Sequence, residues 1–256
     1  MHFNFSSALA QLIAPLRYKC TLAMGRPYFG THHRAFQGAP IRFAYMLETV
    51  RLLPPKPRIL EVGSWVGGSA LTWAEGISRF HQASGSVLCV DPWEPYSDSE
   101  DAATKALDLR DRMANAARDG TAFRLFQHNV TTSPHGHLIQ YRRARSTEVL
   151  PALPAASFDL IYIDGSHRYE DVRFDLQQAK RLAVEGGIIC GDDLDATHDG
   201  VVRAVADEFG NVSCWHGYFA TRRLAGALDR VELPVTRALP SHLRRYQRAI
   251  ARVPEP

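Results

Sequence analysis

Phe158-Asp-Leu-Ile-Tyr-Ile-Asp-Gly-Ser-His167 is an apolar run that ends in an acid, a glycine and a histidine, and Gly187-Ile-Ile-Cys-Gly-Asp-Asp193 is a second run that also ends in acids. Both are apolar enough to be buried on two faces, as parallel strands are. Residues 168–183 between them carry helical spacing, so the stretch reads as strand, crossover helix, strand. Ligands of open α/β sheets bind outside the carboxyl ends of the strands, where both runs place carboxylates. Asp164, Asp192 and Asp193 are therefore expected to meet around one hard cation, with His167 in the adjoining loop as a base.

Working outward, Pro54-Pro55-Lys-Pro57 ends a helix expected over 41–53 and introduces a strand over 58–62. Gly67-Gly68 opens a helix reaching about residue 81, and a second strand over 86–91 stops at Asp91-Pro92. Helical spacing covers 101–117 and 123–130, with Asp119-Gly120 as a break and Asn129 read as a cap. The third strand is expected at 138–142, with 122–126 as a rival, the fourth at 158–163 and the fifth at 187–190. A helix over 200–209 precedes a strand pair over 212–224, turning at Gly217. This alternation predicts an α/β fold, a doubly wound and mostly parallel sheet with right-handed crossovers. Residues 1–57 are expected to be a helical extension that serves as a lid, 58–232 the catalytic domain and 233–256 a helical tail. The stretch 93–120 is a further addition near the strand ends.

A chain of 256 residues suits one such domain with extensions. Its 45% hydrophobic and 22% charged content excludes a disordered chain, and no apolar stretch reaches the length that spans a membrane. A net charge of +3 is too small to indicate nucleic acid, and Arg244-Arg-Tyr-Gln-Arg248 reads as a solvated helix face. The four cysteines are scattered, with neither a disulfide framework nor a CxxC metal site. With no secretory signal read in residues 1–20, a cytoplasmic protein is expected. An N-terminal extension of this length also suits packing on a second copy, hence a homo-oligomer.

Glu61-Val-Gly-Ser-Trp-Val-Gly-Gly-Ser69 joins the first strand to its helix, where glycines let a ligand approach the backbone and free N–H groups favour polar or anionic atoms. Asp91, ending the second strand, is placed to accept hydrogen bonds from two ribose hydroxyls. The glycines follow a GxxxG spacing after an acid rather than the dinucleotide GxGxxG. With no pyrophosphate to cradle, Glu61 can face an amino-acid ammonium or its bound water.

Taken with Val90-Asp91-Pro-Trp93, Ser146-x-Glu148, Ile163-Asp-Gly-Ser-His167-x-Tyr169 and Gly186-Gly-Ile-Ile-x-x-Asp192-Asp193, this turn resembles class I S-adenosylmethionine-dependent methyltransferases. The chain is most similar to the branch of metal-dependent macrolide-sugar O-methyltransferases, over roughly residues 58–209. The resemblance implies a seven-stranded Rossmann-like sheet with a C-terminal antiparallel hairpin. It implies that Gly63 and its neighbours Glu61, Ser64, Gly67 and Ser69 line the methionine part of the cofactor. Asp91 would bind the ribose, Ser146 would lie near the adenine, and Asp164 would border both cofactor and metal.

Three like charges brought together need a cation or protons to offset them. All-oxygen ligation by Asp164, Asp192 and Asp193 suits Mg²⁺ or Mn²⁺, and the lack of a Cys/His set argues against zinc. In the family the matching positions are metal ligands, and catechol-type relatives carry a lysine where His167 stands. The expected chemistry is deprotonation of a metal-chelated substrate hydroxyl by His167 and in-line attack on the sulfonium methyl. The acceptor would be a small hydroxylated molecule such as a glycosylated natural product. Two alternatives stand beside it. One is a nicotinamide-dependent oxidoreductase or a hydroxylase, against which count the missing GxGxxG and the lack of an evident two-His-one-carboxylate set. The other is a protein that binds S-adenosylmethionine without turnover. Tyr169 and Trp93 read as packing, His32 and His33 as an exposed loop pair, and Asp195, His198 and Asp199 as groups behind the site or an ordinary helix start.

Overall fold

The computed structural model describes residues 5–36, 39–95, 107–224, 227–234, 236–251 and 253. Its strands are β1 (Arg58–Val62), β2 (Ser86–Val90), β3 (Ile139–Arg142), β4 (Phe158–Ile163), β5 (Ala183–Gly191), β6 (Ser213–Trp215), β7 (Tyr218–Leu224) and β8 (Ala227–Arg230). They form one sheet in the order β3-β2-β1-β4-β5-β7-β6, with β8 paired to β7. β1 to β5 are mutually parallel, and β7 runs antiparallel to β5, β6 and β8. Strand order reverses between β1 and β4, which opens a crevice at their carboxyl ends.

The helices are α1 (Phe5–Ala23), α2 (Arg42–Arg51), α3 (Gly68–Phe80), α4 (Leu107–Arg118), α5 (Thr121–Thr132), α6 (Ser146–Val149), α7 (Tyr169–Leu182), α8 (Asp199–Phe209) and α9 (Gln247–Ile250). The period-2 rule sorts the strands between two layers. Ile59, Leu160, Tyr162, Ile188 and Cys190 join the core with α2, α3 and α5. Leu60, Val62, Ile161, Ile163 and Ile189 join the core with α7 and α8. α7 presents Val172, Asp175, Leu176, Ala179 and Leu182 to that second core, a helical stripe broken by one acid.

Several expectations shift. The rival strand over 122–126 is helical, part of α5, and Asn129 sits inside that helix with a fully buried side chain rather than capping it. β5 begins at Ala183, directly after α7, with an irregularity in its register opposite β4 between Phe158 and Leu160. The antiparallel end gains β8, an eighth strand. The helix expected from 101 is seen from Leu107, residues 101–106 lying outside the described chain. In the tail, 231–240 is irregular where described, and helical turns cover only Ser241–Tyr246 and Gln247–Ile250.

Both extensions share the α2/α3 core. Tyr28, Phe29, Phe43 and Met46 from the N-terminal side and Leu239, Leu243 and Ile250 from the C-terminal side are buried with Trp73 and Ile77 of α3. The tail is pinned by Ser241, whose N–H and hydroxyl donate to Glu75, and by the Tyr246 hydroxyl, which donates to the carbonyl of Phe29 (2.7 Å). Among the described residues no helix is long and apolar enough to cross a membrane.

Candidate active site

A cavity of about 700 Å³ lies at the carboxyl ends of the parallel strands, within the range that small-molecule sites occupy. Of the residues expected at the site, Gly63, Ser64, Ser69, Asp91, Ser146, Asp164, His167 and Asp193 line it. Glu61, Gly67 and Asp192 do not.

The glycine turn is built tightly against the β4 loop. Gly63 has φ +85°, and a Cβ there would lie 2.0 Å from the carbonyl oxygen of Asp164. Only glycine fits, and the approach joins the two halves of the site. Glu61 lies under this turn with no exposure. Its Oε2 accepts from the Ser64 hydroxyl (2.6 Å) and the Cys89 thiol (3.2 Å). The expected cofactor contact is replaced by a bracing role, because Glu61 is on the core side of β1. Burial pushes its carboxyl up to about 7 against the hydrogen bonds of Ser64, Ser69 and Cys89.

Asp91 braces the same turn while reaching the cavity. Its Oδ2 accepts from the N–H groups of Ser64 (2.8 Å) and Trp65 (2.9 Å), its Oδ1 from that of Trp93 (2.6 Å). Two carboxylate oxygens have about four acceptor sites, so with three N–H donors in place capacity remains for about one ligand hydroxyl. Burial raises its pKa against the pull of these three bonds. Ser146 hydrogen-bonds Asp175, whose burial pushes its carboxyl up to about 7.

The acids converge as the β4–β5 register dictates, with Ile163 beside Gly191. Oxygens of Asp164, Asp192 and Asp193 lie within 4.8 Å of one another. Between the first two sits Arg42, the first residue of α2. Its Nη1 pairs with Asp192 Oδ2 and lies 3.3 Å from Asp164 Oδ2. Burial works against the Arg42 charge, but Tyr162, Asp164, Asp193 and Glu61 outweigh it and hold the group above the ordinary arginine value. Asp164 also accepts from the Tyr162 hydroxyl (2.9 Å), and burial still raises its pKa.

Asp193, held at φ +62°, turns instead toward two histidines. His167 Nε2 lies 3.0 Å from its Oδ2 and His198 Nδ1 3.9 Å from its Oδ1. Burial alone would raise Asp193, but the hydrogen bond and charge of His167 overcome it and hold the carboxyl below its ordinary value. His167, Asp193 and His198 thus form the two-His-one-carboxylate cluster that the spacing did not reveal. Gly200 makes this possible: a Cβ there would lie 2.1 Å from the carbonyl oxygen of His167, so α8 can start against the His167 loop.

The cavity's polar rim and glycine turn fit a nucleoside cofactor with an amino-acid tail. The carboxylate trio is the donor set a hard cation would use, yet each member already has a resident partner: Arg42 and Tyr162 on Asp164, Arg42 on Asp192, and His167 on Asp193. A divalent ion at all three would face the guanidinium at close range, so the arrangement does not fit the expected metal.

Sequence reasoning passed over Arg42, although a lone cation at the head of the apolar stretch Ile41 to Leu47 is a usable signal. It passed over the wall formed by Phe29, Phe36 and Phe43 and the role of Asn129, which accepts from the Tyr28 N–H and donates to the carbonyls of Tyr28 and Val66. Trp93 lines the cavity while packed on Phe123 and Phe126. The hydroxyl of Tyr169 points to Asp207 on α8 (2.8 Å), and His32 and His33 pack around Tyr18 rather than on the cavity wall.

Residues 60–194 match the family model for a methyltransferase domain. Among solved structures the chain is similar to the calicheamicin methyltransferase CalS11, at 16% identity over 87% of this chain and 94% of that one, with a TM-score of 0.59. It is similar to the O-methyltransferase TomG from Streptomyces achromogenes, involved in tomaymycin synthesis and solved with S-adenosylmethionine, at 17% identity over 78% and 86% (TM-score 0.51). A Klebsiella pneumoniae protein provisionally named an O-methyltransferase aligns at 18% identity over 84% and 99% (TM-score 0.54). At such identities the likeness is one of fold. No curated protein matches the chain in sequence.

Proposed function

Since the chain belongs to the methyltransferase-domain family, we propose that it is an S-adenosylmethionine-dependent O-methyltransferase acting on a hydroxyl of a small molecule. The observation that carries this reading is one cavity shared by the glycine turn, Asp91 and Ser146 on the one hand and the His167–Asp193 pair on the other.

Gly63, Ser64 and Ser69 would hold the amino-acid tail, Asp91 a ribose hydroxyl and Ser146 the adenine end. When bound, the cofactor supplies an electrophilic sulfonium methyl. His167 takes the proton from the acceptor hydroxyl as it becomes a nucleophile, and Asp193 orients the imidazole and stabilises its charged form. The rest of the contribution is alignment of acceptor oxygen and methyl in a cavity closed by the N-terminal extension. Phe29, Phe36 and Phe43 on that wall suit an acceptor with an apolar face, such as a glycosylated or aromatic natural product.

Calorimetric titration with S-adenosylmethionine and with NAD tests the cofactor; binding of NAD alone would overturn the reading. A panel of hydroxylated acceptors tests the chemistry. His167→Ala is expected to lower kcat by about 10²–10⁴-fold while cofactor affinity stays within about twofold. Wild-type turnover in that variant would remove His167 from the mechanism.

A further inference from the structure

We infer that Arg42 is the resident cation of this site, replacing a divalent metal at Asp164 and Asp192, so that methyl transfer here is metal-independent. The inference rests on the O-methyltransferase reading for its chemistry, but on geometry alone for the charge balance.

Arg42 is 8% exposed, lines the cavity and places a single nitrogen, Nη1, between two carboxylates on adjacent strands. A guanidinium stays charged throughout the working pH range, and a buried charge persists only when paired. Among the described residues its Nε is buried without a hydrogen-bond partner, while Nη1 reaches both acids. The ring of Phe43 lies 4.9 Å from its guanidinium carbon and flanks the charge.

Mg²⁺ demands near-octahedral oxygen ligands at short range. Using Asp164 and Asp192, it would have to displace Arg42 or sit against it, and like charges about 4 Å apart in a protein interior repel strongly. The third acid does not break the tie, because Asp193 is turned to His167 and His198. Arg42 also comes from α2, outside the matched domain. The N-terminal extension therefore completes the charge balance of the acids as well as covering the acceptor, and Arg42 acts as a positioning residue through them.

Mn²⁺, followed by electron paramagnetic resonance on the full-length chain, is the probe. Wild type, Arg42→Lys and Arg42→Gln would be titrated with Mn²⁺, and separately with S-adenosylmethionine in EDTA. Expected are an Mn²⁺ affinity at least about 100-fold higher in Arg42→Gln than in wild type, and wild-type-like weakness in Arg42→Lys, which keeps the charge. Wild-type turnover should be unchanged by EDTA. Equal Mn²⁺ affinity in wild type and Arg42→Gln, or loss of wild-type turnover in EDTA, would overturn the inference. So would Mn²⁺ binding by wild type that His198→Ala abolishes, which would place the ion on the histidine cluster. If Arg42→Gln fails to fold, Arg42→Met, which also removes the charge, takes its place in the Mn²⁺ titration, and the EDTA assay on wild type still decides. Failure of every variant to bind S-adenosylmethionine would count against the methyltransferase reading and leave the Mn²⁺ result standing.

Discussion

Glu61 shows how much one residue's surroundings alter its work. As an acid on the glycine turn it reads as a cofactor contact, yet β1 turns it into the core, where it braces Ser64 and Cys89. Its folded pKa of about 7 lies above the ordinary 4.5, so the folded state holds the proton more tightly than the unfolded one. The stability this contributes is complete below about 4.5 and is lost as pH rises through about 7, a change on the order of 3 kcal/mol. Glu61→Gln keeps the hydrogen bond and removes the titration. Thermal melts from pH 5 to 8 should therefore fall more steeply for wild type than for the variant, and parallel curves would show that Glu61 does not titrate in this window. Arg42 carries the same lesson with opposite sign: a surface-type residue becomes a buried counter-ion because two acids meet beside it.

At the scale of elements, the site depends on how closely α8 approaches the loop after β4. Gly200 lets the helix begin against the carbonyl of His167, and the next turn brings Val201, Ala204 and Val205 into the core under it. Gly200→Ala should push the His167 loop away from Asp193 without touching the glycine turn. The expected result is a fall in kcat of about 100-fold, the cost of roughly 1 Å of misplacement, with cofactor affinity held within about twofold. Single-turnover kinetics beside calorimetry would check it, and equal losses in both would mean that α8 supports the whole cavity. α5 works in the opposite direction across the sheet. Asn129 ties its buried face to Tyr28 and Val66, so the N-terminal extension and the glycine turn share one anchor.

Across the whole molecule, the tail is fastened both to α3 and to the N-terminal extension. Ser241 hydrogen-bonds Glu75, and with His242 (Nδ1 at 3.6 Å) and Arg79 beside it this overcomes the burial of Glu75 and holds its carboxyl at about 2. Tyr246 stacks on Phe36 at 3.9 Å and donates to Phe29, both of which face the cavity. Tyr246→Ala should raise the acceptor KM by about tenfold with kcat nearly constant, and cost roughly 1 to 3 kcal/mol of stability in urea. A change confined to stability would reduce the tail to a structural strap.

The order of strands and helices, the turn after β1 and the acids at the ends of β2, β4 and β5 were all determined by the sequence itself. Apolar runs, glycines and prolines act within a few residues of where they stand, and the βαβ rules then narrow the topology to a doubly wound sheet, whose strand order the structure supplies. What the tertiary structure decided is which of those groups meet. That Glu61 turns inward, that Asp193 lies between His167 and His198, and that Arg42 reaches Asp164 and Asp192 across more than a hundred positions depend on strand register and helix packing. Such long-range contacts leave no local spacing to read, because the partners are brought together only when the sheet and its covering layers close around the cavity.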